Sequence, residues 1–552
     1  MAEFRRFTRL LLDRQLSGDK GADSRQASWL LDQRTVADVL GLRIADVGKF
    51  TRNAGSAARG GVIGSPQGGM VEFIDGQANL RFTSMWGQKA YKSSGGADWT
   101  QIATGASFSD HLYQAVPGRV NGSRCLGFVA VEDDTGRGPF VVYDVQNDAV
   151  IPSQVTAVTN PRCCAFFQQR YWLGSGDNLY WSEIAESASF SESNVIGAEP
   201  GLGGTISAIV VARDATPRLY VLKDEAIMLL EPRWGSSSAL IPTAGDALDF
   251  VSTNFITLSV GAGCVATKSV QWVPGNQKAD VLFLAQDGVR ALSRAEQDSQ
   301  TGAGFPESYG ILSWVNRINF DAAHKASAAV FDNAYHLAVP LDGATDNTHI
   351  LRRETAGGAW SLIDLEARDM KAFRLGSGHR LFFQNNFTTF DTSVTDSSTD
   401  SLYQVYRAYS GAFENPGATH VHFSLTTRAF VGEDPKREKS WQELSYLISA
   451  SDTCSLEIFT RVNLGQWNSL ATLVVGGTGG GDVILGQTPL PWGVSSSVAR
   501  RQQHDLSQLE PGESLQVRFD SVTGVSLDRG RFVMYMVDVK ALDLPDRFET
   551  EM

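Results

Sequence analysis

At 552 residues the chain is longer than most proteins that fold around a single hydrophobic core, so we expect two domains, or one large closed β architecture with an appendage. Hydrophobic residues make up 42% and aromatic residues 10%, a composition that excludes wholesale disorder. The net charge of −13 disfavours a protein built to grip nucleic-acid phosphates, because such proteins are usually basic.

Residues 1–60 are predicted to form an extended or partly helical arm. Aromatic and cationic side chains interleave near its tip, where the candidate interaction residues are Phe4, Arg5, Arg6, Phe7 and Arg9. Such interleaving can contact nucleic acid. Docking on an acidic neighbouring subunit explains the same pattern, with the arm becoming ordered as it binds.

Residues 61–400 are predicted to fold as a β-propeller. Short β-branched and aromatic runs occur in pairs joined by tight polar turns, such as Asp75–Gly76, Asp287–Gly288 and Asp332–Asn333. The turns recur about every 52 residues, which suits a four-stranded unit in a radial repeat. This spacing predicts a six- or seven-bladed β-propeller. An assortment of hairpins in a sandwich or in stacked β domains is the alternative.

Residues 401–552 are predicted to form an antiparallel, jelly-roll-like β-sandwich that ends in an acidic tail. Several runs alternate between polar and apolar residues, among them Ser455–Val462 and Arg531–Leu542. A long loop between residues 476 and 504 carries Trp492, a further candidate for contact with another subunit. A tryptophan folded back onto its own domain is the alternative. The whole chain is thus predicted to be all-β.

No sequence motif for catalysis or cofactor binding is present. The chain lacks a phosphate loop, a GxGxxG turn, an HExxH pair and a GxSxG elbow, and its five cysteines have no zinc spacing. We therefore expect no enzyme activity, no cofactor, no metal and no catalytic residue. A triad assembled in space, or paired carboxylates at a propeller axis, would leave no local signature. No apolar run approaches the roughly 20 residues that a membrane-spanning helix needs.

Four stretches of the chain resemble one phage protein family: Asp177–Ile196, Thr205–Glu231, Asp280–Ser293 and Tyr335–Ile363. They are similar to hairpin-forming segments in the tail hub, nozzle and DNA-stabilisation proteins of short-tailed phages. These are β-propeller tail proteins. The resemblance implies a structural virion protein, made in the host cytoplasm, that assembles in the tail as a sixfold homo-oligomeric ring. Its implied partners are the portal and adaptor proteins, tail fibres or spikes, and the DNA that passes during genome ejection.

Two other functions fit the same sequence. One is a propeller that binds or hydrolyses glycans, which predicts carboxylates and aromatic side chains gathered at one mouth of the propeller. The other is a propeller scaffold for protein partners. The sequence leaves both open as alternatives to the tail protein.

Overall fold

The structure, a computed structural model, describes most of the chain and is built almost entirely from β-strands. It describes residues 10–16, 22–23, 30–31, 35–46, 49–53, 57–59, 67–94, 99–120, 122–132, 138–151, 158–184, 190–191, 193–212, 218–235, 238–241, 246–249, 253–274, 279–293, 305–355, 357–375, 378–385, 405–409, 414–415, 419–432, 435–450, 454–475, 500–522 and 532–544. The prediction of an all-β chain is confirmed.

Helical segments are short. Those with described bounds are α1 (Leu312–Val315) and three 3-10 turns at Thr267–Ser269, Tyr309–Ile311 and Ala323–Lys325. Within the described ranges, no helix has the length and apolar character that spanning a membrane requires.

Forty strands have described bounds, and most of them fall into seven small sheets. Five strands precede residue 60: β1 (Leu10–Leu16), β2 (Asp38–Leu40), β3 (Leu42–Asp46), β4 (Lys49–Arg52) and β5 (Ala57–Arg59). Sheet 1 contains β6 (Val71–Ile74), β7 (Leu80–Trp86), β8 (Lys89–Ser93) and β9 (Thr100–Ile102). Sheet 2 contains β10 (Tyr113–Val120), β11 (Ser123–Ala130), β12 (Val141–Asp144) and β13 (Ala149–Ile151). Sheet 3 contains β14 (Cys163–Phe167), β15 (Arg170–Ser175), β16 (Asn178–Trp181) and β17 (Val195–Gly197).

The later sheets follow in the same order along the chain. Sheet 4 contains β18 (Ile206–Val211), β19 (Leu219–Lys223), β20 (Ala226–Glu231) and β21 (Asn254–Val260). Sheet 5 contains β22 (Gln271–Val273), β23 (Asp280–Ala285) and β24 (Gly288–Ala291). Sheet 6 contains β25 (Ser327–Phe331), β26 (Ala334–Val339), β27 (His349–Glu354) and β28 (Trp360–Asp364). Sheet 7 contains β29 (Asp369–Leu375), β30 (Gly378–Gln384), β31 (Val405–Arg407) and, as its last strand, β5.

The seven sheets follow one another around a closed circuit. Along it, β6 contacts β10, β10 contacts β14, β14 contacts β18, β22 contacts β25, β25 contacts β29, and β29 contacts β6 again. Sheets 4 and 5 are joined where Thr267 Oγ1 donates a hydrogen bond to Ser207 O at 2.5 Å. These seven first strands, together with the 3-10 turn before β22, are called the inner ring below.

Hydrophobic clusters fill the space between each pair of neighbouring sheets. Between sheets 3 and 4, Trp181 lies 5.3 Å from Trp172 and 6.2 Å from Trp234, measured between ring centroids. The cluster that closes the circuit stacks Phe82 of sheet 1 on Phe373 of sheet 7, with centroids 4.4 Å apart. The sheets therefore bury side chains on both faces, which explains why strands such as β19 and β20 are nearly continuous apolar runs.

Two further sheets face one another beside this circuit. Their strands are β34 (Ser424–Thr426), β35 (Lys439–Ala450), β36 (Cys454–Val462), β37 (Asn468–Val475), β38 (Arg500–Asp505), β39 (Leu515–Ser521) and β40 (Phe532–Asp543), together with β1 to β4, while β32 (Glu414–Asn415) and β33 (Thr419–His420) pair separately. Sheet A has the order β3-β4-β40-β35-β38, with β1 also on β40, and sheet B has the order β2-β34-β39-β36-β37. Tyr446 of sheet A packs on Phe519 of sheet B at 5.2 Å, inside one shared core.

The N-terminal strands are built into sheets that later parts of the chain form. Strand β1 pairs with β40 along its whole length, and β5 pairs with β31 as the outer strand of sheet 7. Strand β2 lies between β28 and β34, so sheet 6 and sheet B form one continuous nine-stranded sheet. These pairings tie residues predicted as an arm to both regions that follow it. The proposed limits at residues 60 and 400 stay predictions.

The residues at each turn determine where a hairpin reverses direction. At Asp332–Asn333 both turn residues have positive φ, 49° and 52°, which asparagine and aspartate tolerate best after glycine, and the turn lies where the sequence predicts it. The turn predicted at Asp287–Gly288 is shifted by one residue. Ala285 pairs with Gly288, so Gln286 and Asp287 form the turn instead.

Candidate functional site

The interaction residues predicted from the sequence lie outside the described residues. They are Phe4, Arg5, Arg6, Phe7, Arg9 and Trp492. Two cavities have described linings: one runs along the inner ring, and the other lies beside sheet 6. Among the described residues, no three or more histidine, cysteine, aspartate or glutamate side chains are grouped so that they could hold a metal ion.

A buried ion pair joins sheets that are not neighbours in the circuit. Lys268, just before β22, places its Nζ 2.5 Å from Asp369 Oδ2 and donates to Tyr113 O at 3.0 Å. Asp369 also accepts from Ser327 Oγ at 2.7 Å and from Met70 N at 3.2 Å. Burial lowers the pKa of Lys268, and the Asp369 carboxylate partly raises it again. Groups from sheets 1, 2, 5, 6 and 7 thus meet in one network at the end of the inner ring where the first strands begin.

Gly68 leaves room for this lysine. Its φ is +74°, and a Cβ built on it would lie 2.6 Å from Lys268 Nζ and 2.9 Å from Tyr113 O. Gln384 holds the same loop, because its Oε1 accepts from Gly68 N at 2.7 Å. Both oxygens of the Asp369 carboxylate are therefore engaged by protein donors.

The cavity along the inner ring has a mostly apolar lining. It encloses about 370 Å³ and is lined from β10, β14, β18 and β22 by residues that include Val116, Phe166, Val210 and Trp272. Gln114 also lines it, but its Oε1 already accepts from Cys164 N at 3.3 Å. Such a lining offers few polar groups to orient a hydrophilic ligand.

The cavity beside sheet 6 combines aromatic and acidic side chains. It encloses about 500 Å³, within the usual range for ligand pockets, and we call it the acidic pocket. Its lining residues are Ala22, Asp23, Thr35, Phe305, Pro306, Glu307, Tyr309, Gly310, Gly358 and Trp360. They come from the N-terminal segment, from the loop between sheets 5 and 6, and from the start of β28.

Two aromatic rings form one wall of the acidic pocket. Phe305 and Tyr309 lie with centroids 4.5 Å apart and planes 33° apart, and Phe305 is 56% exposed. Their loop is anchored between them by Ser308, which is fully buried and whose Oγ accepts from Val289 N at 2.9 Å. The buried Ile311 fixes the far end of the loop in the core. An exposed aromatic surface is thus held on a rigid support.

Neighbouring elements fix the carboxylate of Glu307 and the backbone at Asp23. Glu307 Oε2 lies 2.5 Å from Arg353 Nη2, and Glu307 O accepts from Trp360 Nε1 at 3.2 Å. The backbone of Ala22 donates to Trp360 O at 3.3 Å, and Asp23 N donates to Val36 O at 3.0 Å. Two carboxylates, an aromatic wall and a tyrosine hydroxyl therefore line one cavity.

This combination suits a neutral, hydroxyl-rich ligand. Aromatic faces carry a negative quadrupole that attracts the C–H groups of a sugar ring, and carboxylate oxygens accept hydrogen bonds from hydroxyls. Sequence reasoning missed the pocket because its three segments are far apart along the chain. One signal was present: Phe305 and Tyr309 flank Pro306 and Glu307 in a loop between two hairpin units.

No protein-family model matches the chain, and no curated protein matches it. Among solved structures, it is similar to the extracellular domain of a one component system from B. thetaiotaomicron, with 11% identity, a TM-score of 0.36, and 64% of this chain and 40% of that one covered. It is also similar to an exo-beta-1,3-galactanase from Phanerochaete chrysosporium, with 10% identity, a TM-score of 0.25, and 89% of this chain and 100% of that one covered. The enzymatically active domain of tailspike protein 4 of bacteriophage CBA120 matches with 11% identity and a TM-score of 0.14, covering 29% of this chain and 17% of that one.

The comparisons correct one prediction and leave another without support. The prediction that the chain is not an enzyme is wrong as an exclusion, because a glycosidase is among the structures that it resembles. The tail hub and nozzle family finds no support from family models or from curated sequences. Similarities this weak carry no argument about a site.

Proposed function

We propose that this chain is a seven-bladed β-propeller joined to a β-sandwich and that it binds saccharides in the acidic pocket. The seven sheets and the seven clusters between them support the blade count, and the shared core of sheets A and B supports the sandwich. The observation that carries the binding function is the exposed Phe305–Tyr309 wall beside Asp23 and Glu307. Hydrolysis is compatible with this site, because glycosidases use two carboxylates.

The proposal is tested by calorimetric titration of the full chain with neutral oligosaccharides, starting with galactotriose. Phe305→Ala is expected to weaken binding by about tenfold or more, because an aromatic anchor that ligand binding buries contributes about 1.5–3 kcal/mol. Ile241→Ala serves as the matched control, since Ile241 lies in the connection between β20 and β21, is 71% exposed and does not line the pocket. Equal affinities for both variants, or no binding of any neutral oligosaccharide, would overturn the proposal.

The same titrations can be followed for product release. If the wild type cleaves the oligosaccharide, Asp23→Asn and Glu307→Gln are expected to lower the cleavage rate much more than the binding affinity. Cleavage that survives both substitutions would place the chemistry outside the acidic pocket.

A second candidate, a structural subunit of a virion tail, is favoured by the outer edge of sheet 4. Among the described residues β21 pairs only with β20, and it exposes Ile256 (40%) and Val260 (63%) along seven residues. An exposed edge strand with apolar side chains is a template for pairing with another chain, here a second copy. Native mass spectrometry is expected to show a ring that Ile256→Lys dissociates. A monomeric wild type would exclude this role.

A further inference from the structure

The outer face of sheet B carries a group of stacked cationic and aromatic side chains. Alternation along β36 and β39 directs Ile458 and Val517 into the core, whereas Phe459 and Arg518 lie on the opposite face. Phe459 is directly opposite Arg518 in the register. Trp467, in the turn between β36 and β37, lies beside them.

Two guanidinium groups stack on the same indole ring. The Cζ atom of Arg461 lies 4.5 Å from the Trp467 ring centroid, and that of Arg518 lies 4.8 Å from it. Arg518 also lies 4.6 Å from the Phe459 ring. These four residues, Phe459, Arg461, Trp467 and Arg518, are called the arginine–tryptophan patch. Stacking keeps both arginines in place, although neither lies in a deep pocket.

The charge of this patch is only partly balanced. Arg518 Nε lies 2.8 Å from Asp520 Oδ2, so this arginine has a carboxylate partner. Arg461 instead donates from Nε and Nη2 to the amide oxygen of Gln516, at 2.8 and 2.6 Å. Gln516 is held in that orientation because its Nε2 donates to Thr427 O at 2.8 Å. Among the described residues, no carboxylate lies within salt-bridge distance of Arg461.

The environment of Arg461 favours an added anion. Partial burial lowers the pKa of Arg461, and the positive charge of Arg518 lowers it further. An anion placed against the guanidinium would relieve both effects. A long polyanion such as nucleic acid is a poor candidate, because the chain carries a net charge of −13 and repels it. A short oligosaccharide with only a few acid groups escapes most of that repulsion.

We propose that the arginine–tryptophan patch is a second saccharide site, specific for a sugar that bears a carboxylate or sulfate, with Arg461 as the group that binds the acid. The choice of a saccharide rests on the function proposed for the acidic pocket. The two sites select different units, because Arg461 offers an acid group a cation, whereas the carboxylates that line the acidic pocket do not. A polysaccharide that alternates neutral and acidic units would engage both.

The test is titration of the full chain with tri-galacturonate and, separately, with galactotriose. Arg461→Gln is expected to weaken tri-galacturonate binding about 10- to 100-fold, the usual effect of losing a charge-assisted hydrogen-bond pair. Arg461→Lys keeps the charge but loses the planar fork, so we expect an intermediate affinity. Arg317→Gln is the matched control, because Arg317 is 41% exposed and is paired with Asp342, away from the patch.

The outcomes separate this site from the acidic pocket. Tri-galacturonate affinity is expected to fall with Arg461→Gln and to persist with Phe305→Ala, while galactotriose affinity shows the reverse dependence. Equal tri-galacturonate affinity for Arg461→Gln and Arg317→Gln overturns the second site, as does tighter, Arg461-dependent binding of a single-stranded oligonucleotide. If the wild type binds tri-galacturonate but not galactotriose, only the function proposed for the acidic pocket is refuted.

Discussion

The buried pair of Lys268 and Asp369 gives the sharpest prediction about stability. The side chains are 9% and 2% exposed, so Lys268→Met leaves a carboxylate buried without its cation. Removing one partner of such a pair costs about 3–5 kcal/mol. The double variant Lys268→Met/Asp369→Asn removes both charges, and the asparagine Oδ1 can still accept from Ser327 Oγ. We expect it to recover most of the loss.

Hydrogen exchange is the suitable measurement, because a chain of this size need not unfold in one step. Amides in the segments that meet at the pair, residues 67–71, 113–115 and 369–371, are expected to exchange about 160- to 4,700-fold faster in Lys268→Met, which is the same free energy expressed as a rate. Two results would refute a stabilising role for this network. One is amide protection in Lys268→Met equal to that of the wild type, and the other is a loss of protection in the double variant as large as in the single variant.

Two further predictions concern single residues. Gly68→Ala is expected to lower the free energy of unfolding by several kcal/mol, measured with denaturant, because the added Cβ would press on Lys268 Nζ. Gly176 has φ +57° and no atom within 4 Å of a built Cβ, so Gly176→Ala should lower it by only about 1 kcal/mol. Similar losses in the two variants would contradict the close approach at Gly68. Burial, aided by the charge of Arg352, lowers the pKa of His336 to about 3. The unfolded chain takes up this proton from about pH 6.5 downwards, so stability should fall between pH 6.5 and 3, and His336→Gln should flatten that slope. An unchanged slope would show that His336 does not titrate in this way.

Much of the sheet structure follows from local sequence, and the exceptions have identifiable causes. The predicted runs Ser455–Val462 and Arg531–Leu542 coincide with β36 and β40 to within a residue or two. Strand β35 was missed although it is twelve residues long. Its register shifts between Trp441 and Glu443 and again between Leu447 and Ile448, so the period of two that marks a strand is broken twice.

The number of sheets in the circuit stayed open in the sequence because sheet 7 is assembled from distant segments. Strand β30 ends at Gln384 and β31 begins only at Val405, and the last strand, β5, comes from before the first sheet. The pairing partners of the N-terminal strands were equally hidden in the sequence. Strand β1 pairs with β40 across more than 500 residues, and no local pattern reports such a partner.

The sequence by itself determined the all-β class and hairpin turns such as Asp332–Asn333, because side-chain alternation and positive-φ residues act within a few positions. Only the tertiary structure decided that the sheets close on themselves, that the N-terminal strands join sheets A and B to the circuit, and that Asp23, Glu307 and Phe305 line one cavity. Those features depend on contacts between residues hundreds of positions apart. Such contacts are set by packing and by buried charge rather than by local preference.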